Sequence, residues 1–211
     1  MTESSLPFHS AAKALSHCEL CLHHASNPDV GYTNFEFFYN SFIYYICLTN
    51  ELIGEELCKI KDKEIIGFFR RIENMTDFNS PSCDPLLSYV RFSRNQLTHN
   101  ERILWNSSEY NDEEELGEKE NLGQHHNVTS AKKYSTNVLP SLSLNFTDIY
   151  VAARPVTGKL SKKTKKILVP NSCCGNFFKS TPRNIMLYSY EFYGQNFAKI
   201  VDWHRKIQQR A

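Results

Sequence analysis

No long hydrophobic run occurs in this sequence. Its most apolar stretch, Phe42 to Leu48, falls far short of the roughly 20 residues that cross a bilayer, so no membrane span is expected. Met1 to Leu15 lacks a basic stretch followed by an apolar core, and no secretory signal is expected there. G-x-S-x-G, P-loop, dinucleotide and H-E-x-x-H patterns are all missing, which removes the commonest hydrolase, nucleotide-binding and zinc-protease templates. No internal repeat is visible either. Net charge is also nearly lacking, at +1 over 211 residues. What is there, 41% hydrophobic and 22% charged residues, belongs to a folded chain rather than to disorder, collagen or coiled coil.

The small net charge conceals an asymmetry. Residues 1–120 hold 10 Lys/Arg and 20 Asp/Glu, a net of −10, whereas residues 121–211 hold 14 and 3, a net of +11. Charge segregated between halves points to an anionic partner.

Seven cysteines, an odd number, fit reduced thiols and a cytoplasmic protein better than a disulfide framework. Sequons at Asn74, Asn106, Asn127 and Asn145 then reflect only an Asn- and Ser-rich composition. His17, Cys18, Cys21, His23 and His24 offer metal-ligand spacing that Cys173 and Cys174 could complete. The other reading is helix packing: Ala11 to His24 reads as a helix, where residues three apart share a face without any metal. No second C-x-x-C supports zinc, and the adjacent pair His125-His126 lies in a polar stretch.

Apolar periodicity predicts helices over about 9–26, from Thr33 or Asn34 towards Lys61, over about 62–75, from an Asp84-Pro85 start to roughly Leu104, and over 185–209. The aromatic run Phe35 to Tyr45 is compatible with a strand, but its continuation through Leu48, Leu52, Ile53 and Leu57 favours a buried helix. After Trp105 the texture changes. Glu109 to Glu120 carries seven acids against one Lys, a solvated loop. Asn145 to Arg154 and Lys165 to Val169 read as strands joined by a hairpin or longer loop. The expected architecture is mainly α: a helical bundle formed by residues 1–105 and 185–211, with an acidic loop and a small β-containing insertion, 106–184, before the last helix.

The chemistry concentrates between Leu86 and Leu104. On a wheel of about 100° per residue from Arg91, Arg94 falls near −60°, Thr98 near −20°, Arg102 near +20°, Asn95 near +40° and His99 near +80°. Leu86, Val90, Phe92, Leu97, Ile103 and Leu104 take the opposite half. An ordinary solvated face mixes Lys, Glu and Gln; this arc of three Arg, an Asn and a His is an anion-binding surface with a titratable base. Asn95 and His99 are i, i+4 neighbours, so the amide can fix the imidazole tautomer. Arg94 can bring its guanidinium to a phosphate that His99 also reaches.

Arg94-Asn95-Gln96-Leu97-Thr98-His99 resembles the R-N-x-x-x-H motif of the HEPN superfamily, α-helical proteins that include many metal-independent ribonucleases. With nine Arg and eight His in the chain, R-x-x-x-x-H arises by chance about one third of a time, and the Asn lowers this to about 0.03. The likeness covers roughly residues 9–104 and the last helix, and not 106–184. It implies a HEPN-like bundle, a homodimer across the motif helix, and a toxin or antiviral-defence role with an antitoxin or regulatory partner. A subset of HEPN toxins carries Tyr two residues after the motif His. Here that position is Glu101, so control by modification of that Tyr does not carry over.

The reaction so implied is RNA cleavage without metal or cofactor. His99 acts as general base on the 2′-hydroxyl or as general acid on the leaving oxygen, Arg94 stabilises the phosphate charge, and Asn95 orients His99. The products are a 2′,3′-cyclic phosphate and a 5′-hydroxyl, and DNA, lacking the 2′-hydroxyl, is not a substrate. Arg91 and Arg102 extend the phosphate surface, joined by Lys159, Lys162, Lys163, Lys165 and Lys166 on a short hairpin or loop. Two other readings remain: a non-catalytic HEPN-type RNA-binding or scaffold module, which needs the basic half but not His99, and an acidic 109–120 flap that covers the basic arc.

Overall fold

A computed structural model describes residues 7–99, 103–106, 151–160 and 163–209. The acidic stretch 109–120, the His125-His126 pair, most of the expected strand 145–154, Arg102 and Lys162 lie outside the described residues. The chain is mainly helical, a helical bundle with a small β portion before its last helix. Among the described residues no helix is long and apolar enough to cross a membrane.

Helix α1 spans His9–Ala25 and packs along α2, Tyr32–Ile60. Phe35, Tyr39, Phe42, Ile46, Thr49, Ile53 and Leu57 recur at steps of three and four residues and are all buried, so the aromatic run is helical. Gly31, rather than Thr33 or Asn34, caps its start, without any side-chain bond. Lys61, in the left-handed region at φ 59°, ends α2. Asp62 then caps α3, Lys63–Thr76, its Oδ1 accepting from the backbone N–H groups of Glu64 and Ile65 at 3.0 and 2.9 Å. Asp84 does the same for α4, Pro85–Thr98, with Pro85 in the first turn.

Helix α4 is shorter than its apolar pattern predicts. It stops at Thr98, whose hydroxyl donates to the carbonyl of Asn95 at 2.6 Å, while the His99 N–H turns back to the Gln96 carbonyl. Such local bonds compete with helix propagation. Ile103 and Leu104, fully buried, are drawn instead into extended backbone: β1, Leu104–Asn106, pairs antiparallel with β2, Val151–Ala153.

The stretch read as a link between two strands is itself half strand. β3, Val156–Leu160, and β4, Lys163–Ile167, form an antiparallel hairpin, with Lys159 opposite Thr164 and Gly158 opposite Lys165. A second, smaller hairpin joins β5, Ser172–Cys173, to β6, Asn176–Phe177, through Cys174 and Gly175 at φ 50° and 81°. Two successive positive φ values make a I′-like turn that needs glycine at its second position. Helix α5, Pro182–Gln208, begins three residues earlier than its apolar pattern suggests, because Thr181 caps it and Pro182 opens it.

Helix α2 touches α1, α3, α4 and α5 and is the axis of the bundle. The main core gathers Phe35, Tyr39, Phe42, Leu86, Leu87, Tyr89, Ile185 and Met186, and extends into the β portion through Ala153, Val156, Ile167 and Cys173. Leu187 and Tyr190 pack against it half-buried. A smaller cluster joins Phe8, Ile53, Leu57, Ile65, Phe69 and Ile200, flanked by Phe197, Val201 and Ile207. The Tyr89 hydroxyl, donating to the Arg154 carbonyl at 2.7 Å, ties α4 to the end of β2. The described β portion thus shares the core of the bundle.

Candidate functional site

The first turns of α4 are enclosed, with Leu86, Leu87, Ser88, Tyr89 and Val90 all buried. Its second half emerges, and there a polar cleft of about 280 Å³ opens between α2, the end of α3, α4 and α5. Arg91, Arg94 and Asn95 line it from α4; Cys47, Asn50, Glu51 and Gly54 from α2; Glu73 and Thr76 from α3; Tyr193 from α5. Three of the residues that the sequence singled out therefore share one cavity.

Arg94 is not a bare cation. Its two terminal nitrogens engage the two carboxylate oxygens of Glu51, Nη1 on Oε1 and Nη2 on Oε2, the latter at 3.1 Å. Such a fork is the geometry by which Arg also grips a phosphate. The guanidinium lies over the Tyr44 ring, 5.8 Å from its centroid. Arg91 Nη1 donates to Thr76 Oγ1 at 3.2 Å and has no carboxylate within ion-pair distance among the described residues. Asn50 Oδ1 and Arg94 Nε are buried without a hydrogen-bond partner among the described residues.

Burial raises the Cys47 thiol to about 12; Arg94 and Arg91 pull it down and Glu51 pushes it up. That thiol is held protonated at neutral pH and is no nucleophile. Tyr193 is likewise pushed up, first by burial. Gly54, on the wall of the cleft, lets α2 approach α3 closely: a Cβ there would stand 3.2 Å from Phe69 Cε1.

His99 stands apart. It is the C-terminal cap of α4, exposed, and not part of the cleft wall. Among the described residues no hydrogen bond joins it to Asn95. Five residues of helix separate it from Arg94 by about 7.5 Å of rise. Of the expected lysines, Lys159, Lys163, Lys165 and Lys166 sit on the two strands of the β3–β4 hairpin.

The cysteine and histidine cluster on α1 resolves as packing. Cys18 and Cys21 are buried, with the thiol of each raised by burial. His17 stacks on Tyr45 at 4.7 Å and His24 on Phe38 at 4.8 Å. Cys173 and Cys174 lie instead beside Asp84.

Glu51 and Asn50 carried no signal in the sequence. They are 43 or more residues from Arg94, and Glu51 reads there as part of the solvated side of α2. Only packing of α2 on α4 makes them neighbours. No family model, curated protein or solved structure matches the chain.

Proposed function

We propose that this chain is a metal-independent RNA endonuclease of HEPN type. The observation that carries the reading is the convergence of Arg91, Arg94 and Asn95 on one polar cleft, next along α4 to an exposed His99. Arg94, released from Glu51, grips the scissile phosphate and stabilises charge on its non-bridging oxygens. His99 takes the 2′-hydroxyl proton or delivers one to the leaving 5′-oxygen. The bond formed is from the 2′-oxygen to phosphorus and the bond broken is from phosphorus to the 5′-oxygen, leaving a 2′,3′-cyclic phosphate and a 5′-hydroxyl. A second copy facing the same helix across a two-fold axis would bring two Arg and two His to one groove. A cytoplasmic toxin or antiviral effector held by a neutralising partner is the role such an activity suits.

The engagement of Arg94 by Glu51 favours a second reading, in which the cleft binds RNA without cutting it. One experiment separates them. Incubating the full chain with a tRNA and mRNA pool in EDTA should yield discrete cuts with cyclic phosphate ends. Arg94→Ala and His99→Ala, each checked for helicity, should abolish these cuts. Cutting retained by both folded variants would falsify the nuclease reading, whereas salt-sensitive binding of intact RNA by the wild type supports the second.

A further inference from the structure

The β5–β6 hairpin sets two adjacent cysteines against the N-terminus of α4, about 15 Å along the helix axis from Arg94. Cys173 is buried and Cys174 exposed, with their sulfurs 3.9 Å apart. The turn through Cys174 and Gly175 holds both on the side of Asp84, and the Cys174 N–H donates to Asp84 Oδ2 at 2.6 Å. All three ligand atoms, two sulfurs and a carboxylate oxygen, lie within 4.8 Å of one another.

We propose that Cys173, Cys174 and Asp84 form a binding site for a thiophilic divalent cation of the zinc class. Zinc–sulfur bonds of about 2.3 Å at a tetrahedral angle place two sulfurs about 3.8 Å apart, the spacing found here. Asp84 Oδ1 is committed to the helix cap, accepting from the N–H groups of Leu86 and Leu87. Oδ2 accepts one bond and keeps a lone pair for a metal. Two thiolates and a carboxylate make three ligands, with a fourth position open to water on the exposed Cys174 side. Binding sends both thiol protons to solvent.

The electrostatics favour a cation over a redox centre. Among the described residues the charged side chains acting on Cys173 are Asp84 and Glu191, both negative. Reactive thiols need the opposite surroundings. The Cys173 S–H donates to the Cys174 sulfur. A dication replaces that shared proton and answers both carboxylates. Occupied, the site clamps residues 90 positions apart and braces the helix that carries Arg91 and Arg94.

Titrating the reduced, chelator-washed full chain with Cd2+ or Co2+ should give one equivalent with thiolate-to-metal charge-transfer absorption. Cys173→Ser and Cys174→Ser should each weaken binding at least tenfold, and Asp84→Asn, which preserves the cap, should weaken it while keeping the sulfur band. Cys58→Ser, at an exposed cysteine elsewhere, should change nothing. In the unmutated chain Zn2+ should protect Cys174, and not Cys58, from alkylation. A folded wild type with no band, a band that survives both Cys→Ser changes, or equal labelling of Cys174 with and without Zn2+ overturns the site.

Discussion

Replacing Glu51 by Gln tests whether the Arg94 fork is a structural tie or a phosphate clamp held in reserve. The Arg94 and Glu51 side chains are 25% and 45% exposed, so water screens much of their attraction. A pair in that setting contributes about 0.5–1 kcal/mol to folding, and the variant should lose only a few degrees of Tm. For binding the change is larger in kind. A phosphate entering the fork must displace the carboxylate and then sit beside its negative charge, a combined penalty of about 1–1.5 kcal/mol at a partly wet cleft. Glu51→Gln should therefore tighten single-stranded RNA binding roughly five- to tenfold. If Arg94 gains one phosphate contact, the slope of log K against log salt should steepen by about 0.7. Fluorescence anisotropy over a salt series, in a His99→Ala background to prevent cleavage, reads both quantities. The gain must vanish in Glu51→Gln with Arg94→Ala. Unchanged affinity and slope in Glu51→Gln refute the clamp.

Gly67 lies within α3 in open space, with nothing beyond its chain neighbours and its own helix backbone within 4 Å of where an alanine methyl would stand, so Gly67→Ala should stabilise the fold by about 0.5–1 kcal/mol in urea denaturation. Asp84→Ala removes the α4 cap and orphans the Cys174 N–H, and should cost about 1–2 kcal/mol, of which Asp84→Asn restores the cap's share and not that of the Cys174 bond. Burial raises the Glu191 carboxyl above its ordinary value of 4.5, so folding favours its protonated form. That contribution is complete below the unfolded value and is lost as pH rises through the raised one. In chelator-washed protein Glu191→Gln should thus exceed the wild type in stability at neutral pH and match it in acid; equal stability at both pH values removes Glu191 as a source of strain.

Helix α2 shows which parts of the fold were legible in the sequence. The steps of three and four from Phe35 to Leu57 specify one buried face, and no strand can bury that set. The cap of α4 was equally plain, since Asp84-Pro85 names both the start of the helix and the atoms that satisfy it. The end of α4 was not legible. Ile103 and Leu104 continue the apolar side of the wheel as well as they begin a strand, and only pairing with Ala153 decides between the two. Periodicity records which residues are buried but not what buries them. The β5–β6 turn was missed for another reason: two residues per strand carry no alternation to read, and Cys174-Gly175 resembles any loop.

The same distinction governs the cleft. A wheel groups residues of one helix, and it brought Arg91, Arg94 and Asn95 together because they occupy one exposed arc of α4. It takes no account of the facing helix, and so gives no sign that Glu51 meets Arg94. In the folded chain the opposing acid sits on Arg94, the arginine proposed to grip the phosphate, and the net charge of the arc falls by one there. Arg91, with only a hydroxyl partner among the described residues, is then the cation of the cleft that meets an incoming anion first, and Arg94 the one that must be won from Glu51. The order has a measurable consequence: Arg91→Ala should weaken RNA binding in the wild type by more than Arg94→Ala does, and in Glu51→Gln the ranking should narrow or reverse. Equal losses for the two arginines in both backgrounds would remove Glu51 from the recognition step.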